Sequence, residues 1–178
     1  MKASLAAGCN LWNVGDFYGT PTYHSLHLLN KYFTKYPEDA DKVVLSVKSG
    51  LKNWSPDGSA ENLKASIEYC MGILDGKKSI DIYEMARVDK NTPIEVTMKA
   101  LEEHVNLGHI KGIALSEASE ATIRAAAKVT KIVAVEAELS LWSLDILTNG
   151  VAAACAELNI PIVAYVQNFK SSFFAATN

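Results

Sequence analysis

Val43-Val44-Leu45-Ser46-Val47-Lys48 is the stretch that decides the fold. Its first five residues are apolar or small and carry no charge, the pattern of a strand buried on both faces rather than one with a wet side. Lys48 then arrives at the strand's carboxyl end. Five further segments read as strands: Asn10 to Asn13, Ile80 to Met85, Ile110 to Leu115, Ile132 to Ala137, and Ile160 to Val166. Their starts lie about 20 to 40 residues apart, room for a helix in each gap.

Helical stripes fill those gaps. Leu26, Leu29, Phe33 and Tyr36 form one, and Leu63, Ile67, Met71 and Leu74 another. Thr92-Pro93-Ile94-Glu95 reads as a capping box with proline at the first helical position, opening a stripe through Met98, Leu101 and Val105 that Gly108 stops. A further helix is predicted from Leu144 to Leu158. Pro37, Pro56-Asp57-Gly58, Gly76 and Gly108 punctuate element ends, and no low-complexity linker divides the chain. The result is a run of βα units around a parallel sheet in one domain. Both an open doubly wound sheet and a (β/α)8 barrel suit it. The dinucleotide signature G-x-G-x-x-G and the phosphate loop G-x-x-x-x-G-K-[ST] are absent.

The composition narrows the function classes. With 178 residues, 49% of them apolar, the chain can bury a good core, yet it is shorter than the roughly 200 to 250 residues of a full eight-fold barrel. Seventeen basic and twenty acidic residues, without a basic run, argue against nucleic acid and against a polybasic membrane footprint. No apolar run is long enough to span a bilayer. Cys9, Cys70 and Cys155 lie in apolar stretches without metal-ligand spacing, so they read as reduced packing thiols of a cytoplasmic protein without a metal site.

In parallel α/β folds chemistry sits at the carboxyl ends of the strands. The polar residues there are Asn13, Asp16 and Tyr18 after the first strand, Lys48, then Ser116, Glu117, Glu136 and Tyr165. A lysine held beside a tyrosine favours phenolate over phenol and brings the tyrosine pKa down from about 10 towards neutrality, making a usable general acid. Tyr18 is the candidate partner of Lys48. A plainer reading also suits them: Tyr18 packs with its hydroxyl in water, and Lys48 solvates a strand end. His24 and His27, on the first helix, and His104 and His109, around the end of the third, read as solvated or helix-terminal histidines. Trp54 either walls a pocket or caps the core.

These strand-end residues resemble a family. Gly8-Cys9-Asn10-Leu11-Trp12-Asn13-Val14-Gly15-Asp16-Phe17-Tyr18-Gly19 is similar to the D-x-x-x-x-Y-G segment of the aldo-keto reductases. Val44 to Gly50, Asp81 to Asp89, Lys111 to Glu117, Val135 to Ser143 and Ile160 to Tyr165 follow in family order and spacing. The resemblance implies a (β/α)8 TIM barrel and NADPH-dependent reduction of a carbonyl compound. It implies that Tyr18 donates a proton, that Lys48 tunes it, and that Asn13 stands where the family usually has aspartate. Ser116, Glu117 and Glu136 would hold the nicotinamide carboxamide, and Tyr165 would stack on its ring. Ala86 stands where the family usually has histidine, which leaves orientation of the carbonyl to Tyr18 and pocket walls such as Trp12 and Trp54. Trp12-Asn13-Val14-Gly15-Asp16-Phe17-Tyr18-Gly19, Ala86-Arg87-Val88-Asp89 and Leu115-Ser116-Glu117-Ala118-Ser119 together look like the fungal pyridoxal reductase branch.

Against that pattern the chain is expected to be an incomplete barrel over residues 1–166, lacking the family's first strand and its last part, with a divergent tail over 167–178. Phe169, Phe173 and Phe174 of that tail either cover the gap or belong to an unselected extension. Three functions stay open: a reductase acting on a pyridoxal-like aldehyde, a non-catalytic truncated homologue that is unstable alone or acts only through association with a partner subunit, and a lyase forming a Schiff base on Lys48.

Overall fold

The computed structural model describes residues 1–167; the aromatic tail from Phe169 onward lies outside them. Six strands form one sheet: β1 (Leu11–Gly15), β2 (Val44–Ser49), β3 (Ile80–Met85), β4 (Ile110–Ser116), β5 (Ile132–Glu138) and β6 (Ile162–Tyr165). Each pairs in parallel with the next, in chain order. The intervening helices are α2 (Ser25–Lys35), α3 (Ala60–Leu74), α4 (Ile94–Asn106), α5 (Glu120–Val129) and α6 (Val151–Glu157), preceded by a short α1 (Lys2–Ala6). This is the (β/α)8 arrangement with six of its eight strands among the described residues.

Period-two alternation sorts the strand residues into two faces. Leu45, Val47, Tyr83, Met85, Ile113, Leu115 and Val135 face outward into one apolar core with Leu26, Leu29 and Phe33 of α2, Leu63 and Ile67 of α3, Met98 and Leu101 of α4, and Ile123 of α5. The inner face is polar. Ser46, Lys48, Glu84 and Glu136 are all buried there. The sheet curls far enough for Asn13 on β1 to hydrogen-bond Glu136 on β5, and β1 and β6 each have one strand neighbour among the described residues.

Several expectations change at element ends. Lys48 lies within β2, paired with Gly15 on one side and Glu84 on the other, because the ladder continues one residue past it. The helix expected from Leu144 is broken: a 3-10 turn (Asp145–Leu147) precedes Gly150, whose φ of 89° is open to glycine, and α6 starts only at Val151. The capping box at Thr92 does not form. Its hydroxyl donates to Asp89 Oδ2 at 2.7 Å instead, and α4 begins without a side-chain cap. His24 is buried rather than solvated, its Nε2 lying 3.0 Å from the Tyr69 hydroxyl. His104 is also buried, beside His109. Of the three cysteines, Cys70 and Cys155 are core residues, whereas Cys9 is exposed. No helix among the described residues is long and apolar enough to cross a membrane.

Candidate active site

The carboxyl ends of the strands open into a cleft of about 650 Å³. Its lining brings together Asn13, Tyr18, Lys48, Glu136 and Tyr165 from four strands and the loop after β1, with Ala86, Arg87 and Trp54 around them.

Lys48 is the floor of the site. Its Nζ hydrogen-bonds Glu136 Oε1 and lies 3.2 Å from Glu84 Oε1. Burial works against the ammonium, but the bond to Glu136 and the charges of Glu84 and Glu136 outweigh it, and the lysine pKa is raised. Asn13 Nδ2 donates to both carboxylates, to Glu84 Oε2 at 2.8 Å and to Glu136 Oε2 at 2.5 Å. Ser46 adds a hydrogen bond to Glu84 Oε2 at 3.2 Å. Burial pushes Glu84 up to about 7, with Lys48 opposing and Glu136 reinforcing the rise. Glu84 was not among the residues singled out from the sequence. The available signal was a glutamate in the interior of Ile80-Asp81-Ile82-Tyr83-Glu84-Met85 on the same face as Ile82, opposite to Tyr83 and Met85.

Tyr18 lies at the rim of the cleft, 44% exposed. Glycine at position 15 makes this possible: a Cβ there would come within 3.0 Å of the Tyr18 ring. Phe17 holds the ring edge-on at 4.8 Å, and Tyr18 is within electrostatic reach of the Lys48 ammonium. Asp16, two residues earlier, turns away from the cleft and accepts from Ser49, which continues through Ser66 to the Tyr83 hydroxyl.

Tyr165 presents its ring 5.6 Å from Lys48 Nζ and donates its hydroxyl to Glu117 Oε1 at 2.7 Å. Burial and that bond hold its pKa well above the usual tyrosine range, so it stays a phenol. Glu117 also accepts from the Glu138 amide at 2.8 Å. Ser116 is fully buried, 3.3 Å from Arg87 Nη1. Ser116 and Glu117 therefore flank the cleft instead of lining it, and Glu136 points to Lys48. Trp54 lines the rim, 77% exposed. Trp12 does not: it stacks on Phe33 at 5.9 Å and meets Tyr32 edge-on at 5.2 Å, on the helix side of the sheet.

The family model for aldo/keto reductases matches residues 1–175. The chain belongs to the aldo-keto reductase family. A Schizosaccharomyces pombe protein named "Probable pyridoxal reductase 2" is 47% identical over 168 residues, covering 93% of this chain and 50% of the relative. A Saccharomyces cerevisiae protein, also named for pyridoxal reduction, is 41% identical over 164 residues, covering 86% of this chain and 47% of its own length. The chain thus spans about half the length of the curated relatives it matches. Among solved structures, a glycerol dehydrogenase of Gluconobacter oxydans superposes with a TM-score of 0.81 at 21% identity, over 93% of this chain and 51% of that one. That likeness speaks for the barrel fold, with six of its strands among the described residues over about half of that chain's length.

Proposed function

We propose that the chain carries the active-site half of an NADPH-dependent reductase of pyridoxal-like aldehydes. The observation that carries this reading is the convergence of Tyr18, Lys48 and Tyr165 on one cleft. The cleft suits a nicotinamide: Tyr165 offers an aromatic face held in place by Glu117, and Ala86, Val163 and Ala164 add small or apolar walls. When bound, a reduced nicotinamide supplies hydride to the carbonyl carbon. Tyr18 donates its hydroxyl proton to the carbonyl oxygen, and the Lys48 ammonium stabilises the phenolate left behind. Tyr165 would back the ring, with Glu136, Ser116 and Glu117 near its carboxamide. The Ala86 methyl leaves carbonyl orientation to Tyr18.

A Schiff base on Lys48 needs a neutral amine, whereas two carboxylates keep this one charged. Among the described residues β1 and β6 each have one strand neighbour, which favours a second reading, in which the chain works only when another polypeptide pairs with them. Fluorescence titration with NADPH, followed by pyridoxal-dependent NADPH oxidation, tests the reductase. Binding and turnover are expected, and Tyr18→Phe is expected to abolish turnover while sparing binding. Absence of NADPH binding by the chain overturns the reading.

A further inference from the structure

The buried cluster beneath the cleft contains one cation, Lys48, and two carboxylates, Glu84 and Glu136, with a neutral amide, Asn13, between them. Glu84 is 2% exposed and faces Lys48 across the β2–β3 ladder as its direct register partner. Ala114, paired with both Glu84 and Ala134, puts only a methyl between β3 and β5, so both carboxylates reach the same ammonium. We infer that Glu84 is a positioning residue of the proposed reaction, holding the Lys48 ammonium jointly with Glu136, and that position 13 is neutral because β3 supplies the carboxylate.

The charge inventory supports this. Two carboxylates and one ammonium leave one negative charge in excess in a buried cluster, which the neutral donors Asn13 and Ser46 hydrogen-bond. The two amide hydrogens of Asn13 go one to each carboxylate, which an ionised aspartate at that position cannot do. An aspartate at position 13 would set a third carboxylate against two others at hydrogen-bond distance, with Lys48 the one cation paired with them among the described residues. Glu84 Oε1 lies beside the ammonium but has no directed hydrogen bond among the described residues, so the contact is one of charge. The carboxylate is thus movable between strands: Asn13→Asp made together with Glu84→Gln leaves the total charge of the cluster unchanged. The catalytic consequence rests on the reductase reading; the electrostatic one does not.

The test is a double-mutant cycle on the full chain with Asn13→Asp, Glu84→Gln and both together, read by thermal unfolding near neutral pH and by the pH profile of pyridoxal-dependent NADPH oxidation. Asn13→Asp is expected to lower the melting temperature by about 5 °C or to prevent folding. Adding Glu84→Gln is expected to restore more than half of the loss, or to restore folding. In turnover, Glu84→Gln is expected to lower kcat more than it raises KM and to displace the pH profile, and the double variant to recover kcat over Asn13→Asp. A double variant no more stable than the sum of the single changes predicts, or equally unfolded, overturns the inference. If no form oxidises NADPH, the reductase reading fails while the unfolding cycle still decides the role of Glu84.

Discussion

Glu84 makes stability depend on pH in a direction opposite to that of most carboxylates. Its pKa stands at about 7 in the folded chain against 4.5 for the free group, chiefly through burial. Below 4.5 it is protonated in both states and contributes nothing to the slope. As pH rises towards 7 the unfolded chain ionises the group freely while the folded chain resists, so stability falls, by up to about 1.4 kcal/mol per pH unit and about 3 kcal/mol in total. Above the folded value the loss is complete and the curve is flat again. Glu84→Gln removes this titration while keeping the size of the side chain and an acceptor for Asn13. Urea unfolding followed by tryptophan fluorescence, at intervals from pH about 4.5 to about 8, gives the difference between variant and parent at each pH. That difference is expected to move by about 3 kcal/mol in favour of the variant across the range, whatever constant offset the lost contact with Lys48 adds. A difference that stays flat would refute the upward shift of Glu84 by burial.

Two further outcomes concern the frame around the site. A methyl at Gly58 would collide with Thr97 Oγ1, part of a buried β-branched side chain that already donates to the Gly58 carbonyl. Gly58→Ala is therefore expected to destabilise by about 2 kcal/mol in urea unfolding, and Thr97→Ala in the same chain is expected to recover part of it. Asp39 accepts from Tyr32 at 2.7 Å and pairs with Lys2 and Lys42, which hold its carboxyl well below the usual range. Its contribution is present above the unfolded pKa and is lost as pH falls from there through the folded value. Asp39→Asn is expected to flatten the acid limb of a stability curve below pH about 4; an unchanged limb would show that other carboxylates govern it.

How much of this was legible in the sequence depends on whether a residue's partner is local. The six strands were readable because each is a short apolar run between turn residues, and Lys48 stood out because nothing in Val43 to Val47 asks for a cation. Capping failed because a neighbour with a distant task intervened: Thr92 gives its hydroxyl to Asp89, three residues earlier, which also accepts from the remote Gly58 amide and so ties the loop before α3 to the loop before α4. Trp12 was misread as a pocket wall although alternation already excluded it: if Asn13 faces inward, the residue before it faces the helices. Glu84 shows the deeper limit. Its neighbours in the chain explain its direction but not its role, since that is set by Asn13, 71 residues away, and by Lys48 across the ladder. A carboxylate on the inner face of a strand reads as an anomaly, and an asparagine five residues before Tyr18 as a lost charge. Superposed by the register of β1, β2 and β3, the two become one arrangement, in which the charge missing from β1 stands on β3 and Lys48 lies between them.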